Sequence, residues 1–164
     1  MNIEFENFTI INFDKDDDNH LKVYEELVNG KSQSKMISMI KENLVRSHKS
    51  GELVFDNAYL LKQNEDIIGY LYLTAKVNNH IYLEMSILKD YRNKRMGSMM
   101  LEKITNYLFI NNDDLKEIRL SIDKSNPGSM KSALNANYYY DVDDYMNEKI
   151  DFICSNPYYI NRKK

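Results

Sequence analysis

The amino-acid sequence predicts an α/β (α+β) domain, with strands and helices in the order β-α-α-β-β-β-α-β-α-β-β. Three observations carry that prediction. Hydrophobic spacing switches repeatedly between a strand period of two and a helical period of roughly 3.6 residues. Val54 to Lys62 and Ile67 to Val77 are rich in strand formers and flank Gln63-Asn64-Glu65-Asp66, so they read as an antiparallel hairpin. His80 to Asn111, HIYLEMSILKDYRNKRMGSMMLEKITNYLFINN, reads as a strand, a basic turn and an amphipathic helix.

Composition bounds the class. With 164 residues and 43% hydrophobic content, the chain is expected to form a single domain, residues 1–164, with a real core. Net charge is -3 with both signs interspersed, which points to neither a nucleic-acid partner nor a membrane surface. Cys154 is the single cysteine, so no internal disulfide forms and a reducing cytoplasm is the expected location. Cys154 itself reads as a small buried hydrophobe rather than a nucleophile. The start, MNIEFENFTI, has no basic region followed by an apolar run, and no stretch approaches the roughly 18 apolar residues of a spanning helix.

In chain order, Ile3 to Phe13 alternates and reads as a first strand. The acidic run Asp14 to Asp18 precedes a helical pattern on Leu21, Tyr24 and Val28. Asp14, Asp16, Asp18 and Glu25 imitate the ligand spacing of a calcium loop. Asn19 nevertheless stands where that loop needs glycine, and a strand precedes it, so capping of the helix is the better reading and no metal is expected. Asn29-Gly30 ends this helix, and Met36, Ile40 and Leu44 mark a second, with His48 in its polar last turn. After the hairpin, Val77 to His80 turns into the central strand. Met100, Ile104 and Leu108, four apart, put one face of the central helix inward. Glu117 to Asp123 alternates as a strand. Asn126 then caps a short helix with Pro127 at its first position. Closing strands lie around Tyr138 to Asp141 and Lys149 to Cys154, before a basic end.

A helix beginning beside Gly97 and Ser98 points unpaired N–H groups into the turn that carries Arg92, Lys94 and Arg95. That makes an anion site suited to a pyrophosphate. The run Tyr91-Arg92-Asn93-Lys94-Arg95-Met96-Gly97-Ser98 resembles the coenzyme A turn of the GNAT superfamily of N-acetyltransferases, written Q/R-x-x-G-x-G/A and often preceded by an aromatic residue. Arg92 and Gly97 match its ends. Arg95 departs, standing where the first glycine usually lies, and its side chain either crowds the phosphates or adds charge to them. The order of elements is also that of the family, which implies a mixed, mainly antiparallel sheet flanked by helices.

The resemblance implies chemistry residue by residue. Arg92, Asn93, Lys94, Arg95, Met96, Gly97 and Ser98 would hold the pyrophosphate of acetyl-CoA, the co-substrate. Main-chain groups of Met85, Ser86 and Ile87 would pair with the pantetheine arm, because in the family this strand and the next splay apart. Asn126 resembles an asparagine that contacts the same arm, and Ser129 matches a small residue after it; capping explains Asn126 as well. Glu84 is the candidate base for the incoming ammonium, with an ordinary strand glutamate as the other reading and His80 as a fainter alternative. Many relatives protonate the leaving thiolate with a tyrosine of the last helix. Ala133 stands there instead, leaving Tyr138, Tyr139 and Tyr140 just beyond, of which Tyr138 is taken as the candidate acid. A thiol pKa of about 8.5 makes the group a tolerable leaving group without one.

The implied activity is acetyl transfer to a primary amine of a small molecule or a peptide. Two other readings stand beside it: an acyl-CoA-binding relative without catalysis, and an interaction module that binds no coenzyme A. The loop Asn29 to Lys35 is expected to help grip the acceptor, the acidic run Asp14 to Asp18 slightly favours a cationic one such as a polyamine, and self-association into a homodimer is left open.

Overall fold

A computed structural model of the protein describes residues 2–28, 52–92, 95–141 and 147–161. The expected second helix, His48, the Asn29 to Lys35 loop, Asn93 and Lys94 lie outside the described residues. The strands are β1 (Asn2–Glu4), β2 (Thr9–Asn12), β3 (Asn57–Gln63), β4 (Asp66–Leu73), β5 (His80–Ile87), β6 (Glu117–Asp123), β7 (Tyr139–Tyr140) and β8 (Lys149–Ser155). The helices are α1 (Asp18–Val28), α2 (Met96–Asn111) and α3 (Pro127–Asn135). The described strand pairs run β1-β2-β3-β4 and β5-β6-β8-β7, antiparallel apart from β5 with β6, as the mainly antiparallel expectation requires.

The chain divides into two compact units, Met1–Ala75 with Met85–Arg92, and Lys76–Glu84 with Asn93–Lys164. In the first, the expected single strand Ile3 to Phe13 is two. Phe5 N–H bonds the Phe8 carbonyl at 2.8 Å, and the chain reverses so that β1 pairs β2. The two phenyl rings stack 4.5 Å apart across the reversal, which is why alternation runs on through a turn. Asp17 caps α1, its Oδ1 accepting the N–H groups of Asn19 and His20, and Asp14 Oδ1 accepts that of Asp16. The aspartates therefore do the capping work expected of them. Tyr24 and Leu27 of α1 pack with Phe13, Ala58, Leu60, Ile67, Tyr70 and Tyr72. Each fully buried side chain of this size contributes about 1.5–3 kcal/mol.

In the second unit, Val77 and His80 exchange both backbone hydrogen bonds around Asn78 and Asn79, whose φ values are 52° and 62°. That is a two-residue reversal of the kind asparagine tolerates, and it launches β5. Met100, Ile104 and Leu108 of α2 are all fully buried, with Ile118 and Leu120 of β6 and Phe152 of β8. No helix among the described residues is long and apolar enough to cross a membrane.

Candidate active site

Within the first unit, the end of β5 is set by β4. Leu61 pairs Gly69 while Lys62 pairs Ile67, so Ile68 is an extra residue bulged out of the β4 ladder. Its carbonyl accepts the N–H of Leu88 at 2.7 Å. A Cβ on Gly69 would drive into the Ser86 carbonyl oxygen and crowd Ile87 Cα at 3.3 Å. Only glycine lets β4 approach β5 this closely, and sequence reasoning gave Gly69 no role. An isolated glycine inside a strand pattern was the available signal. Beyond β5, a short 3₁₀ turn over Lys89–Tyr91 is tied down by Tyr91, whose hydroxyl donates to Asp66 Oδ2 at 3.0 Å. That bond also raises the Tyr91 pKa. Arg92 follows with an extended backbone, and its Nε donates to the Ile87 carbonyl at 2.7 Å.

Within the second unit, Arg95 is the residue before α2. It is left-handed (φ 60°, ψ 21°), makes no side-chain cap bond and is exposed. The left-handed backbone explains why glycine is usual at this position. Its carbonyl accepts the Met99 N–H at 3.1 Å and the Ser98 hydroxyl at 3.2 Å. Met96, Gly97 and Ser98 occupy the first helical turn, whose N–H groups have no carbonyl one turn back to bond. No acidic side chain lies in that turn.

Ahead of α3, Asn126 Oδ1 accepts the Ser129 N–H at 3.1 Å and Pro127 opens the helix, as expected. The cap uses only the carbonyl end of the side chain, so its Nδ2 is not spent on it. On β5, Ile81 and Leu83 are buried while His80, Tyr82 and Glu84 are half-buried on the other face. Met85 is half-buried and Ser86 and Ile87 are buried. Tyr138 points inward and is buried, its Oη 2.7 Å from Thr105 Oγ1, while Tyr139 and Tyr140 are exposed. Burial pushes the Tyr138 pKa far up, only partly opposed by the Thr105 bond. To protonate a thiolate, Tyr138 would have to give up a buried hydrogen bond. Cys154 is half-buried rather than fully so, and burial raises its pKa, which keeps it a thiol. Among the described residues no three or more His, Cys, Asp or Glu are grouped to hold a metal.

The turn into α2, with β5 before it and the capped Asn126 after β6, lies inside a stretch that matches a known family. The Acetyltransferase (GNAT) family matches residues 20–134, more than half of the chain. The chain belongs to the GNAT acetyltransferase family. The match takes in Glu84, Arg92 to Ser98, Asn126 and Ser129, and it ends short of Tyr138. No curated protein sequence matches the chain. Among solved structures it is similar to spermidine N-acetyltransferase from Vibrio cholerae in complex with CoA and spermine. The TM-score is 0.69 at 12% identity, covering 96% of this chain and 100% of that one. It is also similar to ribosomal-protein-S5-alanine acetyltransferase from Vibrio fischeri, with TM-score 0.68, 13% identity and coverage of 96% and 97%. RimL, a ribosomal L7/L12 alpha-N-protein acetyltransferase in complex with coenzyme A, gives TM-score 0.70 at 13% identity, covering 94% and 98%. The TM-scores show that the chain shares the fold of these enzymes, and at such identities the likeness extends to the fold alone.

Proposed function

We propose that the protein transfers the acetyl group of acetyl-CoA to a primary amine of a small, polyamine-like molecule or of a peptide. The observation that carries this reading is the start of α2, uncapped, free of acidic side chains and preceded by an exposed arginine, inside the stretch matching the family. Such a helix end favours a bound anion by its unpaired N–H groups and its dipole. Arg92, Asn93, Lys94 and Arg95 add cationic and polar donors to it, and Met96, Gly97 and Ser98 supply N–H groups. Main-chain groups of Met85, Ser86 and Ile87 orient the pantetheine arm, and Asn126 serves it with the amide nitrogen that the cap does not use. Acetyl-CoA supplies the activated acyl group. Glu84 takes a proton from the incoming ammonium, so that the nitrogen attacks with a free electron pair. Tyr138 is left in the core, and the thiolate departs unaided. The fold is shared with enzymes named for transfer to spermidine and to ribosomal-protein nitrogens, which supports nitrogen as the acceptor atom. A cytoplasmic setting fits the single cysteine.

The test begins with heat. Acetyl-CoA at a hundredfold excess over its Kd should stabilise the fold by about 2.7 kcal/mol, and desulfo-CoA should give much of the same shift. An unchanged Tm at millimolar acetyl-CoA would sink the reading. Thiol release is then followed over a panel of polyamines, aminoglycosides and peptides, where binding without turnover would leave an acyl-CoA-binding protein. On a substrate so found, Glu84→Gln should slow transfer by roughly 10²–10⁴-fold with acetyl-CoA affinity nearly constant. The loss should shrink as pH rises toward the amine's own pKa. Tyr138→Phe should lower stability by about 1–3 kcal/mol, leaving the Thr105 hydroxyl without its partner, and spare kcat.

A further inference from the structure

A backbone turn that receives phosphate must keep its N–H groups unspent, so it cannot be held by a ladder of its own. Within the first unit, the stretch from the end of β5 to Arg92 is fastened at three points, two of them on β4. The Leu88 N–H goes to the carbonyl of Ile68, the bulged residue, at 2.7 Å. The Tyr91 hydroxyl reaches back to Asp66, the first residue of β4, at 3.0 Å. Arg92 Nε donates to the carbonyl of Ile87, the last residue of β5, at 2.7 Å.

The third contact fixes what Arg92 offers. A guanidinium carries its five N–H donors in one rigid plane, and the Nε bond uses one of them. A main-chain oxygen thereby orients the plane, and the end with the two terminal nitrogens is the edge that suits a phosphate. Arg92 is exposed, and a side chain ordered in advance loses less freedom on binding. The Ile87 carbonyl lies five residues back, so this bond requires Leu88 to Tyr91 to be folded over in the 3₁₀ turn. That turn is three residues long, buries no side chain and has no side-chain cap. Such short turns have poor hydrogen-bond geometry and do not hold by themselves. The side-chain bond that pins this one is Tyr91 to Asp66.

We infer that Tyr91 and Asp66 are positioning residues for the pyrophosphate of coenzyme A, acting through Arg92. The inference rests on the acetyl-CoA reading and goes beyond it, giving the ring ahead of the turn a hydrogen-bonding duty. It also fixes an unusual sign. Asp66 is anionic and by charge alone disfavours a phosphate nearby, yet its removal should weaken binding, because what it supplies is the hold on Tyr91.

The test is calorimetric titration of the full chain with coenzyme A at constant, moderate salt. Tyr91→Phe and Asp66→Ala should each weaken binding about three- to tenfold, the scale of one net hydrogen bond. The double variant should lose no more than the larger single loss, because both changes remove the same bond. Asp66→Asn keeps an acceptor oxygen and should recover part of the affinity. The deciding background is Arg92→Ala, read by thermal shift at millimolar coenzyme A. There Tyr91→Phe should have almost no further effect, since the residue it acts through is gone. Asp66 is exposed and Tyr91 half-buried, so neither substitution opens the core. Wild-type affinity in both single variants overturns the proposal, as does a gain in Asp66→Ala, the result that loss of negative charge alone would give. An undiminished loss for Tyr91→Phe in the Arg92→Ala background overturns it too, because the ring would then act on the turn as a whole. In each of these cases the acetyl-CoA site stands. A wild-type chain that does not bind coenzyme A fails the acetyl-CoA reading itself and removes the proposal with it.

Discussion

Two helices of the second unit follow strands and begin in opposite ways. Before α3, Asp123 Oδ1 accepts both the N–H and the hydroxyl of Ser125, which holds its carboxyl below the usual range. Asn126 then caps Ser129, and Pro127 fills a position that needs no N–H. Before α2, Arg95 sits left-handed with no side-chain cap, and no carboxylate enters the first turn. A helix end completed by its own side chains has little left to offer an outside anion. One left incomplete forgoes about 0.5–2 kcal/mol of capping and keeps N–H groups and a positive pole for a ligand. On the acetyl-CoA reading, the contrast assigns the phosphates to the turn before α2 and a shape-setting role to the turn before α3.

The largest expected effect comes from giving α2 the charge it lacks. If Arg95 bonds phosphate as proposed, Arg95→Asp should lower coenzyme A affinity by about tenfold to a hundredfold, a charge-assisted bond worth about 1.5–3 kcal/mol being replaced by repulsion. The same change should not harm the helix, because a carboxylate suits its N-terminus. Unaltered affinity by calorimetry, at low and moderate salt alike, would break the contrast between the two helices.

Loosening what lies under the end of β5 should act next. Gly69→Ala forces the Ser86 carbonyl and Ile87 to move, and overpacking of this kind costs about 1–3 kcal/mol in urea unfolding. Arg92 is bonded to the Ile87 carbonyl, so coenzyme A affinity should fall along with stability. Full stability in the variant would mean that the close approach of β4 and β5 relaxes without cost.

At the second helix the effect should be on stability. Asn126→Ala removes a cap and should cost about 1 kcal/mol, with a smaller loss of coenzyme A affinity than Arg95→Asp. Asn126→Ser restores an oxygen cap but not the amide nitrogen, so it separates the two duties of the residue. A variant with wild-type stability and weakened cofactor binding would assign the nitrogen to the pantetheine arm.

The two helix starts also show how far the sequence can be read. Glu117–Asp123 and the capped start at Asn126 coincide with expectation because alternation and capping chemistry are local. Arg95 was visible as a departure from the family turn, but its left-handed backbone was not, since nothing in the residue type favours it. The β1–β2 reversal hid because Phe5 and Phe8 keep the apolar rhythm while stacking on each other. Gly69 gained its meaning from Ser86, on another strand. Among three consecutive tyrosines, only packing with Thr105 singled out Tyr138 as the buried one. The Tyr91–Asp66 bond joins residues 25 positions apart, and no periodicity announces such a pair.

The smallest expected effect is the one that says what Arg95 is for. Its left-handed backbone costs a non-glycine residue about 1–2 kcal/mol. Arg95→Gly relieves that and gives back part of it, about 0.4–1 kcal/mol, to the freer unfolded chain. The net should be a gain of roughly 0.5–1 kcal/mol, readable as a slightly higher urea midpoint with an unchanged slope. Coenzyme A affinity then separates two accounts of the arginine. If its charge compensates for the missing glycine, affinity in the variant stays within a few-fold of wild type, while Arg92→Ala weakens binding more. Both effects should shrink at high salt, because exposed charges are screened. If the arginine instead obstructs the approach of the phosphates, glycine should raise affinity sharply and salt should matter little. A sharp rise would turn the uncapped start of α2 from a working phosphate site into a blocked one, and the acyl-CoA-binding reading without catalysis would move ahead of transfer.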